Sequence, residues 1–214
     1  MISSKKELIF YIASDRIMKG LPAQQSFKDK VLICIGLGRY ASGGLIIEFQ
    51  KRMRLLSYFQ NKPNKSIFDR IQKIFNKICF DRLGEKLGIS IYPDSFGYGL
   101  VIPHYGTIVV NGGCSIGNYC VLHTSTCIAG GGKSFGDGLY LSSGAKITGI
   151  GNFGDAVSIA ANSVVKEPAP GHCLLAGMPA VIKRLNYPYW YERDGSRFLQ
   201  RVALVEKLRK NTLE

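Results

Sequence analysis

The segment VNGGCSIGNYCVLHTSTCIAGGGKSFGDGLYLSSGAKITGIGNFGDAVSIAANSVVK, from Val110 to Lys166, decides the fold. Val110, Ile116, Leu122 and Ile128 are six residues apart. After one interruption the series resumes at Phe135, Leu141, Ile147, Phe153, Ile159 and Val165. Neither the 3.6-residue period of a helix nor the two-residue period of an ordinary strand produces this pattern. Six is the period of a β-helix with triangular coils. Each side is a short strand, three sides make one coil, and one apolar side chain per side points inward. The ten apolar positions predict about three coils. Gly, Asn and Asp between them suit the corners, because they tolerate tight turns. The interruption, AGGGKS at 129–134, predicts an excursion out of the prism, a natural place for a binding loop.

Outward from this segment the composition changes. Residues 97–154 are rich in glycine, whereas residues 47–82 contain none, which marks a boundary near residue 88. Helical spacing of apolar residues predicts helices over 7–19, stopping at Gly20, over 45–59, and over 67–87 with Ile71, Ile74, Ile78, Leu83 and Leu87. Phe49, Tyr58, Phe59, Phe68 and Phe75 fall in these stretches and read as core residues. A closing helix is predicted from Ser196 to Lys210. The expected division is a helical domain at 1–88, a β-helix at 89–184 and a helical tail at 185–214.

The 214 residues carry a net charge of +13. Residues 1–90 hold 17 Lys/Arg against 7 Asp/Glu, while residues 91–166 balance at 3 against 3. A basic half of this kind suits an anionic cofactor, an anionic glycan or a membrane surface. No nucleic-acid signature accompanies it, so no nucleic-acid partner is expected. The densest apolar run, 31–38, is too short to span a bilayer, so any membrane contact is expected at the surface only. The start, MISSKKELIF, has no signal-peptide pattern. Six cysteines without a CxxC pair argue against a disulfide framework or a zinc site; Cys114, Cys120 and Cys127 read as small core fillers. The expectation is a reduced, cytoplasmic protein with no metal.

Several phrases, in order, resemble the hexapeptide-repeat acyltransferases, and within them the serine acetyltransferase-like group. They are ASDRIMKGLP, IYPDSFGYGLVIPHYGTIVVN, CIAGGGK, SSGAKITG, AANSVV and AGMPAVIK. The resemblance implies a left-handed parallel β-helix, an exception to the usual right-handed crossover. It also implies a homotrimer, which in some relatives pairs into a dimer of trimers, with acetyl-CoA between neighbouring β-helices as acetyl donor.

Acetyl transfer to a hydroxyl needs a base of near-neutral pKa, and no metal. The resemblance assigns that base to His104, in IPHYG. Ser90 stands where the group has the aspartate that orients the base; Asp94 or a backbone carbonyl are alternatives. Gly130 and Gly131 match a loop whose N–H groups approach the thioester, and Lys133, which follows in the group's arrangement, is likewise expected to bind the cofactor. Ser143 and Ala161 match positions along the pantetheine arm. Lys166, Lys183 and Arg184 are candidates for the phosphates of CoA, or ordinary surface charge. His123 is a candidate for the cleft lining, and His172 reads as a loop residue.

The group's serine-binding residues are not all present. Pro103 stands where an aspartate precedes the base, and GKSFGDG holds no Arg-His pair. A serine pocket would need other groups, such as Asp15. A sugar hydroxyl in surface-polysaccharide synthesis is therefore the expected acceptor, with Tyr92, Tyr98 and Tyr105 either as stacking surface or as packing. Serine O-acetylation is the alternative, and a non-catalytic scaffold is the reading from another class.

Overall fold

The computed structural model describes residues 1–41 and 43–214. Four helices come first: α1 (Lys5–Met18), α2 (Phe27–Cys34), α3 (Gly44–Asn61) and α4 (Ile67–Leu87). Eleven short parallel strands follow, from β1 (Ile89–Ser90) to β11 (Val164–Val165). After them come β12 (Cys173–Gly177), β13 (Ala180–Leu185), the short α5 (Trp190–Arg193) and α6 (Ser196–Leu213).

Local sequence explains the helix ends. Ser4 and Glu7 form a capping box on α1, and Ser66 and Asp69 form another on α4, so orphan N–H groups are satisfied from both sides. Gly88 ends α4 in the left-handed region, at φ +71°, which glycine adopts without a Cβ penalty. α2 covers part of the apolar run at 31–38 and has no counterpart in the periodicity reading.

The strands form a three-sided solenoid of about five turns. The first face contains β1, β2 (Ile108–Val110), β5 (Thr126–Ile128), β8 (Lys146–Ile147) and β11. The second contains β3 (Cys114–Ile116), β6 (Lys133–Phe135) and β9 (Gly151–Phe153). The third contains β4 (Val121–Leu122), β7 (Tyr140–Leu141), β10 (Val157–Ile159) and β12, with β13 antiparallel on its edge. The six-residue series becomes three columns: Val110–Ile128–Ile147–Val165, Ile116–Phe135–Phe153 and Leu122–Leu141–Ile159. All ten residues are buried in one core. Phe135 and Phe153 stack with ring centroids 4.6 Å apart. Cys114 and Cys120 join that core, while Cys127 is half-buried.

The interruption at 129–134 is not an excursion. Cys114 pairs with Lys133 and Ile116 with Phe135, so this coil is one residue longer than its neighbours and Lys133–Phe135 is itself a strand. The single extra residue is absorbed at the corner.

The helices continue the core rather than forming a separate one. Phe49 and Phe80 stack at 4.8 Å, and Ile46, Met53, Leu56 and Leu87 join the same cluster as the coils. α4 presses closely on β1: a Cβ on Gly84 would lie 2.7 Å from the Ile89 carbonyl. However, Phe68 and Phe75 are exposed, as are Ile71, Ile74 and Ile78. The core reading of Phe68 and Phe75 is corrected because α4 is apolar on two faces, and Phe80, Leu87 and Gly84 occupy the one that packs inward. A second cluster seats α1 and α6 on the third face, where Trp190 donates from Nε1 to the Tyr119 carbonyl at 2.7 Å.

One ion pair joins these parts. Arg54 of α3 meets Asp15 of α1 through Nε (2.9 Å) and Nη2 (3.1 Å), and both side chains are buried. Arg54 also donates to the carbonyls of Phe96 (2.8 Å) and Gly97 (2.6 Å), while Asp15 accepts from the Leu100 N–H (2.9 Å). Removing one member strands a buried charge. Asp15→Ala is therefore expected to cost about 3–5 kcal/mol in chemical denaturation, and Asp15→Ala combined with Arg54→Met clearly less than the sum of the two single changes. Additive costs would show that the pair does not act as a unit.

Candidate functional site

The solenoid has three edges, and the candidate residues divide among them. Two positions after the inward residue of the third face, consecutive coils place His104, Thr124, Ser143 and Ala161, following Ile102, Leu122, Leu141 and Ile159. These four share the edge between the third and first faces. Thr124 is legible only once the coil register is applied to the corner. His104, Ser143 and Ala161 are exposed. Small side chains therefore run along the edge beyond His104, leaving room for an extended ligand arm.

The loop before His104 is held from behind. The Lys19 ammonium donates to the carbonyls of Ile102 and Pro103, both at 2.9 Å, and Gln50 Nε2 donates to that of Leu100 at 2.7 Å. The imidazole of His104 itself has no hydrogen bond among the described residues. Asp94 does not orient it. The Asp94 carboxylate is taken by Ser57, Gln60 (3.0 Å) and Asn61 (2.9 Å) of α3, so it fastens the helix to the first coil. Ser90 lies on the first face, its backbone paired with Val109, with its side chain exposed.

His123 sits close enough to His104 for the two charges to interact. Its Nε2 is 3.0 Å from the Tyr140 hydroxyl, and the Arg193 guanidinium lies 5.1 Å over the Tyr140 ring. Burial, and secondarily the His104 charge, push the His123 pKa down, while Asp194 pulls it the other way. Arg193 and Asp194 were not singled out in the sequence; they are paired at 3.0 Å, and Arg193 also reaches Ser158 Oγ at 3.2 Å.

Gly130 and Gly131 lie on a different edge, between the first and second faces. The Gly132 N–H is spent on the Gly113 carbonyl (2.9 Å) and the Ala129 N–H on that of Ile147 (2.9 Å). Those of Gly130 and Gly131 have no partner among the described residues. Lys133 explains the loop's shape. It is buried, and its ammonium gathers the carbonyls of Ala129, Gly130 (3.2 Å) and Gly131 (3.4 Å). Its expected role as a direct cofactor ligand is corrected: the charge is turned into the loop it supports. Lys166 follows Val165 on this same edge and is exposed, whereas Lys183 and Arg184 are exposed on β13.

The remaining acceptor candidates are not assembled around His104. Asp15 is occupied by Arg54. Tyr92 packs against Gly112, and Gln60 Nε2 lies 3.4 Å from its hydroxyl. Tyr98 belongs to the α1–α6 cluster and donates to Glu206 at 3.0 Å. Tyr105, next to His104, is the most exposed of these tyrosines at 71%, against 45% for Tyr92. His172 lies in the turn before β12, its ring 5.3 Å from that of Tyr189. No group of His, Cys, Asp or Glu among the described residues could hold a metal ion. Among the described residues, no helix is long and apolar enough to cross a membrane.

One outcome follows from the placement of His123. Its C2 proton, followed by NMR, is expected to titrate below the usual histidine midpoint of about 6.5. In His104→Ala the midpoint is expected to rise slightly but to stay depressed, because burial is the larger cause. A midpoint at or above the ordinary value in the unaltered protein would contradict the buried placement.

No protein-family model matches the chain. Serine acetyltransferase 4 of Arabidopsis thaliana is 27% identical over 196 residues, covering 85% of this chain and 52% of that protein. The chain spans about half the length of the curated relatives it matches. Among solved structures, a serine acetyltransferase from Brucella abortus strain S19 superimposes with a TM-score of 0.56 at 23% identity, over 82% of this chain and 67% of that one. A serine acetyltransferase in complex with CoA gives 0.54 at 21%, over 81% and 67%. The solenoid is therefore a left-handed parallel β-helix built on a six-residue repeat, and the chain is similar in sequence and in fold to the serine acetyltransferases.

Proposed function

We propose that the protein is an acetyl-CoA-dependent O-acetyltransferase with His104 as general base. The observation that carries this reading is the common edge of His104, Ser143 and Ala161. A pantetheine arm laid along that edge meets small side chains and brings a thioester to an exposed imidazole. His104 takes the proton of the acceptor hydroxyl as its oxygen attacks the thioester carbonyl. The protonated imidazole then returns that proton to the departing thiolate. The tetrahedral oxyanion needs fixed donors. Gly130 and Gly131 offer unspent N–H groups, but on another edge of the same prism. A site that uses both draws them from two chains, which supports a homotrimer with shared sites. The relative solved with CoA supports the donor.

For the acceptor, the relatives favour serine over a sugar, since the curated matches are named serine acetyltransferases. The tyrosine platform expected for a glycan is also not assembled beside His104. Serine's ammonium and carboxylate require paired charges. With Asp15 buried, we assign that task to Asp194 and Arg193, which lie beside Tyr140 and His123 and whose half-exposed mutual pair a bound serine would have to replace.

Replacing the base is expected to slow CoA release from acetyl-CoA by roughly 10²–10⁴-fold in His104→Ala without altering assembly. Near-normal turnover with intact assembly would remove His104 from the mechanism. Co-expression of His104→Ala with Gly131→Val, each inactive alone, is expected to restore partial activity through mixed assemblies; no recovery would refute the shared site. With the unaltered enzyme, L-serine is expected to outperform a panel of sugars and nucleotide sugars, and efficient acetylation of any sugar with serine inert would overturn the acceptor assignment.

A further inference from the structure

The outward face of α4 has no place in the reaction. Ile67, Phe68, Ile71, Ile74, Phe75 and Ile78 are 46–78% exposed and recur at helical spacing, so they form one stripe along the helix. Their stripe is opposite the face that packs on α3. The nearby α2 repeats the pattern, with Phe27, Val31 and Ile35 exposed at intervals of four. Between the two helices runs a groove bordered by Lys30, Lys51, Arg52, Phe75, Arg82 and Lys86. A soluble surface does not normally leave so much apolar area in one place.

The charge around the stripe indicates what covers it. Residues 23–88 carry 13 Lys/Arg against 5 Asp/Glu. Three of the five carboxylates are already paired: Glu48 with Arg52 (2.7 Å), Asp69 with Lys62 (2.9 Å) and Asp81 with Lys77. Arg70, Lys73 and Lys77 flank the stripe on one side of the helix, and Arg82 and Lys86 continue it at the C-terminal end. A second copy of the same face would set one strongly cationic surface against another. An anionic bilayer supplies both needs at once: acyl chains for Phe68, Ile71 and Ile74, and phosphates for the surrounding cations.

We propose that the α2–α4 face docks on an anionic lipid surface, with α4 lying in the interface plane. Lys and Arg stems lie along the apolar stripe with their charged heads at the level of the phosphates. This arrangement needs no membrane-spanning helix, and it is independent of which acceptor His104 serves.

The full-length protein would be sedimented with vesicles of equal parts phosphatidylglycerol and phosphatidylcholine, and with vesicles of phosphatidylcholine alone. At low salt, binding to the anionic vesicles is expected to exceed binding to the neutral ones by roughly tenfold or more, and to fall steeply as salt rises. Ile71→Glu combined with Ile74→Glu, at exposed positions, is expected to abolish it while leaving helicity and thermal stability unchanged. Arg70→Glu combined with Lys73→Glu is expected to weaken it without touching the apolar stripe. Failure of the unaltered protein to bind anionic vesicles would overturn the proposal. So would binding indifferent to both double changes. A smaller assembly by light scattering for Ile71→Glu/Ile74→Glu, with vesicle binding intact, would instead assign the stripe to a second copy of the chain.

Discussion

The buried pairing of Asp15 with Arg54 is the constraint on which the arrangement of the site depends. Two charges removed from water are costly, and they are tolerable only where every donor and acceptor is matched. Here Arg54 is matched by a carboxylate and two carbonyls, and Asp15 by a guanidinium and a backbone N–H. The matching groups come from α1, α3 and the stretch between Phe96 and Leu100. The pair therefore fixes two helices on the first coil in one register. That coil leads directly into Ile102 and Pro103, whose carbonyls Lys19 holds, and so to His104. An aspartate that would suit an acceptor's ammonium is thus used to place the base.

The three edges of the prism divide the remaining work. One carries His104 and the small residues, and a second carries the glycine loop with Lys133 folded beneath it. The third is built from Asn118, Asp137 and Asp155. Asn118 accepts from the Tyr98 N–H, Asp137 from the Asn118 N–H (2.7 Å) and Asp155 from the Asp137 N–H (2.8 Å). This ladder satisfies corner N–H groups that the strands leave unpaired. Tyr189 packs so closely there that a Cβ on Gly138 would lie 2.4 Å from its Cδ1. The third edge is thereby sealed by the chain's own C-terminal segment, and two remain open to a ligand or a neighbouring chain.

Much of this was legible in the sequence, for a definite reason. Inward positions of a triangular coil tolerate only apolar side chains, so a six-residue rhythm survives, and all ten predicted positions are buried. The glycine-rich run suggests an excursion, yet Ile128 and Phe135 are only seven residues apart; the single surplus residue is a corner adjustment. α4 misled in the opposite sense. Helical periodicity shows that apolar residues share a face but not which face turns inward when two exist. The roles of Asp15, Asp94 and Lys133 were invisible because each depends on a partner distant in sequence or on a side chain folding back. Of the site's outline, His104, Ser143 and Ala161 were legible through the resemblance of the phrases that hold them, and Thr124 only through the coil register.

A parallel stack of coils is in principle open-ended, since its last rung offers unpaired backbone groups to any further strand. In this chain β13 turns back and pairs antiparallel with β12, matching Ala180 with Gly177 and Leu185 with Cys173. A strand running the wrong way cannot template another parallel coil on that face. At the other end, α4 and Gly88 lie against β1 and the first corner. The molecule thus carries its own stops, which fix the number of rungs and discourage solenoids from joining end to end into fibres.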